Sequence, residues 1–116
     1  MIAPQGSRGE ARLWLAQRAT AAVLAIGVAV HLTTMIFAVQ GGLSAAEILS
    51  RTRHNVIWAS FYGVFVLAVA IHAPIGLRTI IGEWLGWRGR SADAACFVVA
   101  LALLVSGWRA VYAVTA

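Results

Sequence analysis

The chain has 116 residues, of which 61% are hydrophobic and only 11% charged, with a mean hydropathy of +0.84. That is one domain's worth of sequence, too apolar and too sparsely charged for an ordinary soluble domain, and it points to an integral membrane protein. The formal net charge of +5 comes from nine arginines against four acidic residues, with no lysine; these arginines sit at the ends of apolar runs and form no solvated basic face, which excludes a nucleic-acid binder.

The first element is an apolar run over about 13–39, interrupted by Gln17, Arg18, Thr20, His31, Thr33 and Thr34. Arg8, Glu10 and Arg12 precede it. The run is too long for a signal-peptide core and has no clear cleavage site, so it is expected to remain as the first transmembrane helix. Gly41-Gly42 stops it. Ser44-Ala45-Ala46-Glu47 then reads as a capping box, in which serine oxygen and glutamate each satisfy a free backbone N–H, and it predicts a short interfacial helix over about 45–50. The second span covers about 55–82, with Trp58 and Tyr62 at one end and Trp84 and Trp87 at the other. The connection from Gly86 to Ser91 is short and basic, permitting a tight antiparallel return. The third span, about 93–114, carries Arg109.

Each span exceeds the roughly 20 helical residues that cross a bilayer core. The expected fold is all-α, with three transmembrane helices, a short interfacial helix between the first two, and a single membrane-anchor domain over residues 1–116. Arg8, Arg12, Arg18, Arg78, Arg88 and Arg90 lie toward one face, against Arg51, Arg53 and Arg109 toward the other. The N-terminus is therefore expected in the cytoplasm. An Ala- and Arg-rich chain without lysine suggests a GC-rich bacterial genome and hence a bacterial cytoplasmic membrane. Cys96, the single cysteine, forms no intrachain disulfide and reads as a small buried apolar residue.

Polar residues inside the spans carry the functional signal. His72, in I-H-A-P-I-G-L-R, lies roughly 15 Å deep in the second span. A histidine in a soluble core is usually just hydrogen-bonded, but in hydrocarbon the cost of an imidazole favours a functional role, and haem iron is the partner proposed by this placement. Gly76, one turn later, lets a flat macrocycle or a neighbouring helix approach the backbone. Pro74 removes the bond to Ala70 and is expected to kink the helix. Arg78 and Arg18 fall in a layer where they would pair with haem propionates; the alternative for both is snorkelling to headgroups.

H72-A-P-I-G76-L-R78, followed by Glu83-Trp84, resembles the second helix of the cytochrome b anchor subunits of succinate:quinone oxidoreductases, the succinate dehydrogenase and fumarate reductase family. Gln17-Arg18-Ala19-Thr20-Ala21 is similar to that family's H-R-x-[ST]-G motif on the first helix. The likeness covers helices one and two. It implies a haem b-binding anchor that passes electrons between a partner iron–sulfur subunit and membrane quinone, beside a flavoprotein subunit. By itself such a chain is not a complete enzyme. The resemblance places His72 on haem iron and makes Arg18, Trp14, Trp84 and Glu83 the candidate quinone-binding residues. The chain departs from the family at Gln17, where the family has histidine, at Trp14 in place of serine, at Ala21 in place of glycine, and at Glu83-Trp84 in place of Asp-Tyr.

His31 lies roughly 14 Å from the height of His72. Two axial nitrogens on one iron are separated by only about 4 Å, so both histidines do not serve one haem. Two haem levels fit the spacing, with His31 ligating the outer one and Arg109 near its propionates; the alternative for His31 is a bond within a helix interface. The opposite axial ligands then come from a second membrane anchor subunit or a second copy of this chain. His54 reads as an interfacial polar residue. Two other readings remain open on the residues: a haem b subunit of a formate dehydrogenase or hydrogenase, and a small haem-free transporter or assembly protein.

Overall fold

The computed structural model describes residues 8–116, an all-helical arrangement of α1 (Arg8–Gln40), α2 (Ala45–Thr52), α3 (Val56–Trp84) and α4 (Arg90–Thr115). Residues 1–7 of the single-domain expectation lie outside the described residues. Three of the helices, α1, α3 and α4, are long and apolar enough to cross a membrane, and α2 is the short helix between the first two. Helices α1 and α4 extend beyond their predicted limits at both ends, most of all α1, which begins at Arg8, and α3 runs two residues past its predicted end. Polar residues at a span end remain helical because the backbone ladder continues into the interface, and Gly9 in the first turn of α1 does not break it.

The connections follow from local chemistry. Ser44 caps α2, accepting from the Glu47 N–H at 3.2 Å while the Glu47 carboxylate accepts from the Ser44 N–H. The chain then turns at His54, whose φ of 58° is tolerated in a turn, and Asn55 caps α3 through the N–H groups of Ile57 and Trp58. Across the bundle, the Thr52 hydroxyl donates to the Val114 carbonyl at 2.6 Å and the His54 N–H donates to the Thr115 carbonyl at 2.8 Å. The α2 end thereby satisfies two carbonyls that the last turn of α4 leaves open. At the opposite face, the α3–α4 return uses left-handed Gly86 (φ 65°) and Gly89 (φ 97°), and Arg88 donates to the Gly82 carbonyl at 3.1 Å. Pro74 sits inside α3, whose helical assignment runs through it to Trp84.

Helix α3 is the centre of the bundle, packing on α1 along one side and on α4 along the other. Both seams are antiparallel and both depend on small residues. On the α1 seam, Gln17 meets Gly76, Thr20 meets His72, Gly27 meets Phe65 and His31 meets Tyr62. A Cβ built on Gly27 would fall 2.5 Å from the Phe65 ring. On the α4 seam, Gly107 faces Val66 and Arg78 faces Asp93. Close backbone approach through glycine is how helices associate in lipid, where hydrophobic burial gives no drive between them. Ile81, Ala92 and Cys96, with Leu77 against them, form a small buried cluster at the α3–α4 hairpin. Cys96 is buried there with a free thiol, as its sequence context predicts.

Candidate functional site

The α1–α3 seam carries both intramembrane histidines. Thr20, which is buried, donates its hydroxyl proton to the Ala16 carbonyl at 2.7 Å, the return bond that a helical threonine makes one turn back. The same Oγ1 lies 3.2 Å from His72 Nδ1. The other ring nitrogen of His72, Nε2, has no hydrogen-bond partner among the described residues. One imidazole nitrogen is thus anchored and the other has no hydrogen bond among the described residues, an arrangement that suits a metal-ligating histidine.

One turn along α3, the missing side chain of Gly76 admits Gln17: a Cβ there would lie 3.2 Å from Gln17 Nε2. Of the two approaches that Gly76 permits, the structure uses the neighbouring helix. Gln17 Oε1 is buried with no hydrogen-bond partner among the described residues. An amide oxygen orphaned in this way costs about 1–3 kcal/mol unless a donor reaches it. It stands within a turn of the His72–Thr20 pair, at the position where the resembling family has histidine.

His31 is placed differently. Its Nδ1 lies 3.0 Å from Tyr62 Oη and the two rings meet edge to face at 5.7 Å. Tyr62 is stacked on Trp58 and touches Phe61, so the outer histidine is set against an aromatic cluster. From Thr20 to His31 along α1 the rise is roughly 16 Å, so the register keeps the two histidines at separate depths on one seam. Arg109 is two residues beyond Gly107, which faces Val66, and so lies near the height of Tyr62 and His31. It is exposed on α4, and among the described residues no hydrogen bond joins it to His31.

The basic residues expected around the inner site separate into two groups. Arg78 Nε donates to Asp93 Oδ1 at 2.7 Å, pinning α3 to α4, with about a third of each side chain exposed (34% and 33%). Asp93 is the partner that sequence reasoning missed. Its signal was available: it is the first acidic residue after the tight Gly86–Gly89 return, and an antiparallel hairpin brings it back toward Arg78. Arg18 is exposed, its guanidinium carbon 5.4 Å from the centre of the Trp14 ring one turn earlier. Trp14 and Arg18 therefore form one outward-facing cation–π unit. Glu83 and Trp84 are also exposed at the end of α3, Trp84 with 82% of its surface uncovered. Glu83 joins Arg78, Thr79, Arg88 and Asp93 around a shallow polar pocket of about 220 Å³ beside the hairpin; Trp84 does not line it. Gln17 and Thr20 stand in the motif-like segment of α1 and Tyr62 near the start of α3, but nothing in the sequence pairs them with Gly76, His72 and His31, because the register between α1 and α3 passes through α2 and two turns.

A model of the family described as succinate dehydrogenase/fumarate reductase transmembrane subunit matches residues 6–107. The match takes in all of α1, α2 and α3 and most of α4, and so both histidine pairs and the Arg78–Asp93 bridge. Comparison with curated proteins and with solved structures gives no match.

Proposed function

The chain belongs to the family of succinate dehydrogenase/fumarate reductase transmembrane subunits, multi-pass membrane anchors of an enzyme complex, and we propose that it holds haem b at His72 and helps bind quinone at the same membrane face. The observation that carries this reading is the asymmetry of the His72 ring: Nδ1 is tied to Thr20 and Nε2 has no partner among the described residues, inside an apolar span. An imidazole set that way fits an axial ligand. Bound there, haem b supplies a one-electron relay beside a two-electron quinone.

The chain's own residues do the remaining work. Thr20 and the seam orient His72; the apolar faces of α1 and α3 keep water away from it. Arg18 and Trp14 point outward from α1, toward the surface that a second membrane subunit or a second copy would cover, and that chain supplies the opposite ligand. Arg18 is the residue of this pair suited to a propionate or a quinone carbonyl, since guanidinium donates several hydrogen bonds and stays charged. Glu83 and Trp84 lie at the same membrane end of the bundle, at the end of α3, where an indole N–H donates to a carbonyl oxygen. His31, anchored on Tyr62, holds a second haem at the outer level, with Arg109 at its height. The flavin and iron–sulfur chemistry belongs to soluble partner subunits, docked on the cytoplasmic face in a bacterial membrane.

Arg18→Leu tests the quinone part of this reading. In the assembled complex the variant is expected to lower succinate-dependent quinone reduction at least tenfold, while succinate oxidation by a soluble artificial acceptor is unchanged. Equal quinone reduction in wild type and variant would remove Arg18 from the site.

A further inference from the structure

A threonine hydroxyl has one proton, and the geometry around Thr20 says where it goes. The Ala16 carbonyl at 2.7 Å, and the Gln17 carbonyl at 3.2 Å on the same side, take it within the helix. Oγ1 then faces His72 Nδ1, at 3.2 Å, with a lone pair. A nitrogen facing a lone pair must carry the proton, so this contact selects the Nδ1–H tautomer of His72 and leaves the lone pair of the ring on Nε2. Thr20 is buried and α1 is fixed against α3 by Gly27 on Phe65, so the hydroxyl cannot turn away without breaking the seam.

We infer that Thr20 is a positioning residue that sets the tautomer of His72 and tunes the electron donation of its Nε2 to bound haem iron; this rests on the assignment of His72 as a haem ligand. A hydrogen bond accepted from Nδ1–H makes the imidazole a stronger donor and favours ferric iron. Tyr62 does not act in the same way on His31: among the described residues its hydroxyl has no carbonyl to take its proton, so it is able to donate to His31 Nδ1 as well as to accept. The two histidines thus differ in how firmly the protein prepares them for metal, and His72 is the prepared one.

The test uses the full complex carrying Thr20→Val, which keeps the shape and loses the hydroxyl, and Thr20→Ser, which keeps the hydroxyl. In a redox titration, Thr20→Val is expected to shift the ferric-to-ferrous ratio of the His72 haem about tenfold toward ferrous at a fixed ambient potential, equivalent to about 59 mV for one electron, and Thr20→Ser to restore it. An unchanged potential in Thr20→Val with haem fully bound overturns the inference. Nitrogen NMR of the histidine-labelled full chain in detergent micelles reads the tautomer without haem. The Nδ1–H form in wild type that reverts to Nε2–H in Thr20→Val supports the inference, and the Nε2–H form in wild type overturns it. Absence of haem from the wild-type complex with the Nδ1–H tautomer intact sinks the ligand assignment, not the role of Thr20 toward His72.

Discussion

His72→Ala is expected to empty the inner haem site while leaving the chain inserted and helical. The span around residue 72 is apolar on both sides and α3 is held by two seams, so removal of one imidazole costs the bundle little. What it removes, on the proposed assignment, is the imidazole that would ligate the inner haem, while the neighbouring Thr20 and Gln17 offer only oxygen and amide groups. Haem content per complex and the reduced-minus-oxidised spectrum read the loss, and far-ultraviolet circular dichroism reads the helices. The companion variant His31→Ala is expected to remove the outer haem alone, because the two histidines lie roughly 16 Å apart along the seam. Full haem content in both variants would rule out both as ligands. Loss from His72→Ala only would leave one haem level and return His31 to a seam hydrogen bond with Tyr62.

The second large effect is expected from Gly27→Leu. Even the first atom of a side chain at that position meets the Phe65 ring at 2.5 Å, so a leucine cannot be accommodated without separating α1 from α3. Overpacking of this kind costs about 1–3 kcal/mol where neighbours relax, and here the neighbour is a ring on a helix already packed on its other side. Gly27 lies between the two histidine levels, so the separation pulls Thr20 from His72 and His31 from Tyr62 together. The expected result is a lower unfolding midpoint in detergent and reduced haem retention at both levels. Pairing the milder Gly27→Ala with Phe65→Ala is expected to recover much of what Gly27→Ala loses, because the added methyl then occupies space the ring vacated. No difference between Gly27→Leu and wild type would mean the seam is not packed as described.

Much of this architecture was legible in the sequence, for identifiable reasons. Three apolar runs of spanning length, the glycine pair at 41–42 and the Ser44–Glu47 capping box each reflect local chemistry, and each appears in the structure where that chemistry puts it. The predicted ends fell short because charge was read as the limit of a helix, whereas Arg8 to Arg12 continue α1 and Asp93 lies inside α4. His72 and His31 stood out because polar residues are costly in hydrocarbon. Their partners did not. Thr20 and Tyr62 become legible only when α1 and α3 are laid antiparallel in a definite register, and no motif encodes that register across α2. Arg78 shows another limit: read alone it pointed to an anionic ligand or the headgroups, and only the hairpin reveals a carboxylate partner from within the chain.

Gln17 ties the family assignment to the particular chain. It occupies the place of a histidine in the motif it resembles, and it packs into the space above Gly76 with its amide oxygen unpartnered. A group left in that state beside a proposed redox site is a natural acceptor for a ligand hydroxyl, because the cost of its burial is already present before a donor arrives.

The most direct measurement is a haem assay on the complex purified through a tag on this chain, in mild detergent, with its soluble partners retained. Haem b is expected in the wild-type complex, reducible by succinate, at one haem for each occupied histidine level. A complex that carries the flavoprotein and iron–sulfur subunits yet shows no haem absorption would contradict that expectation, and would leave His72 as a structural histidine on Thr20.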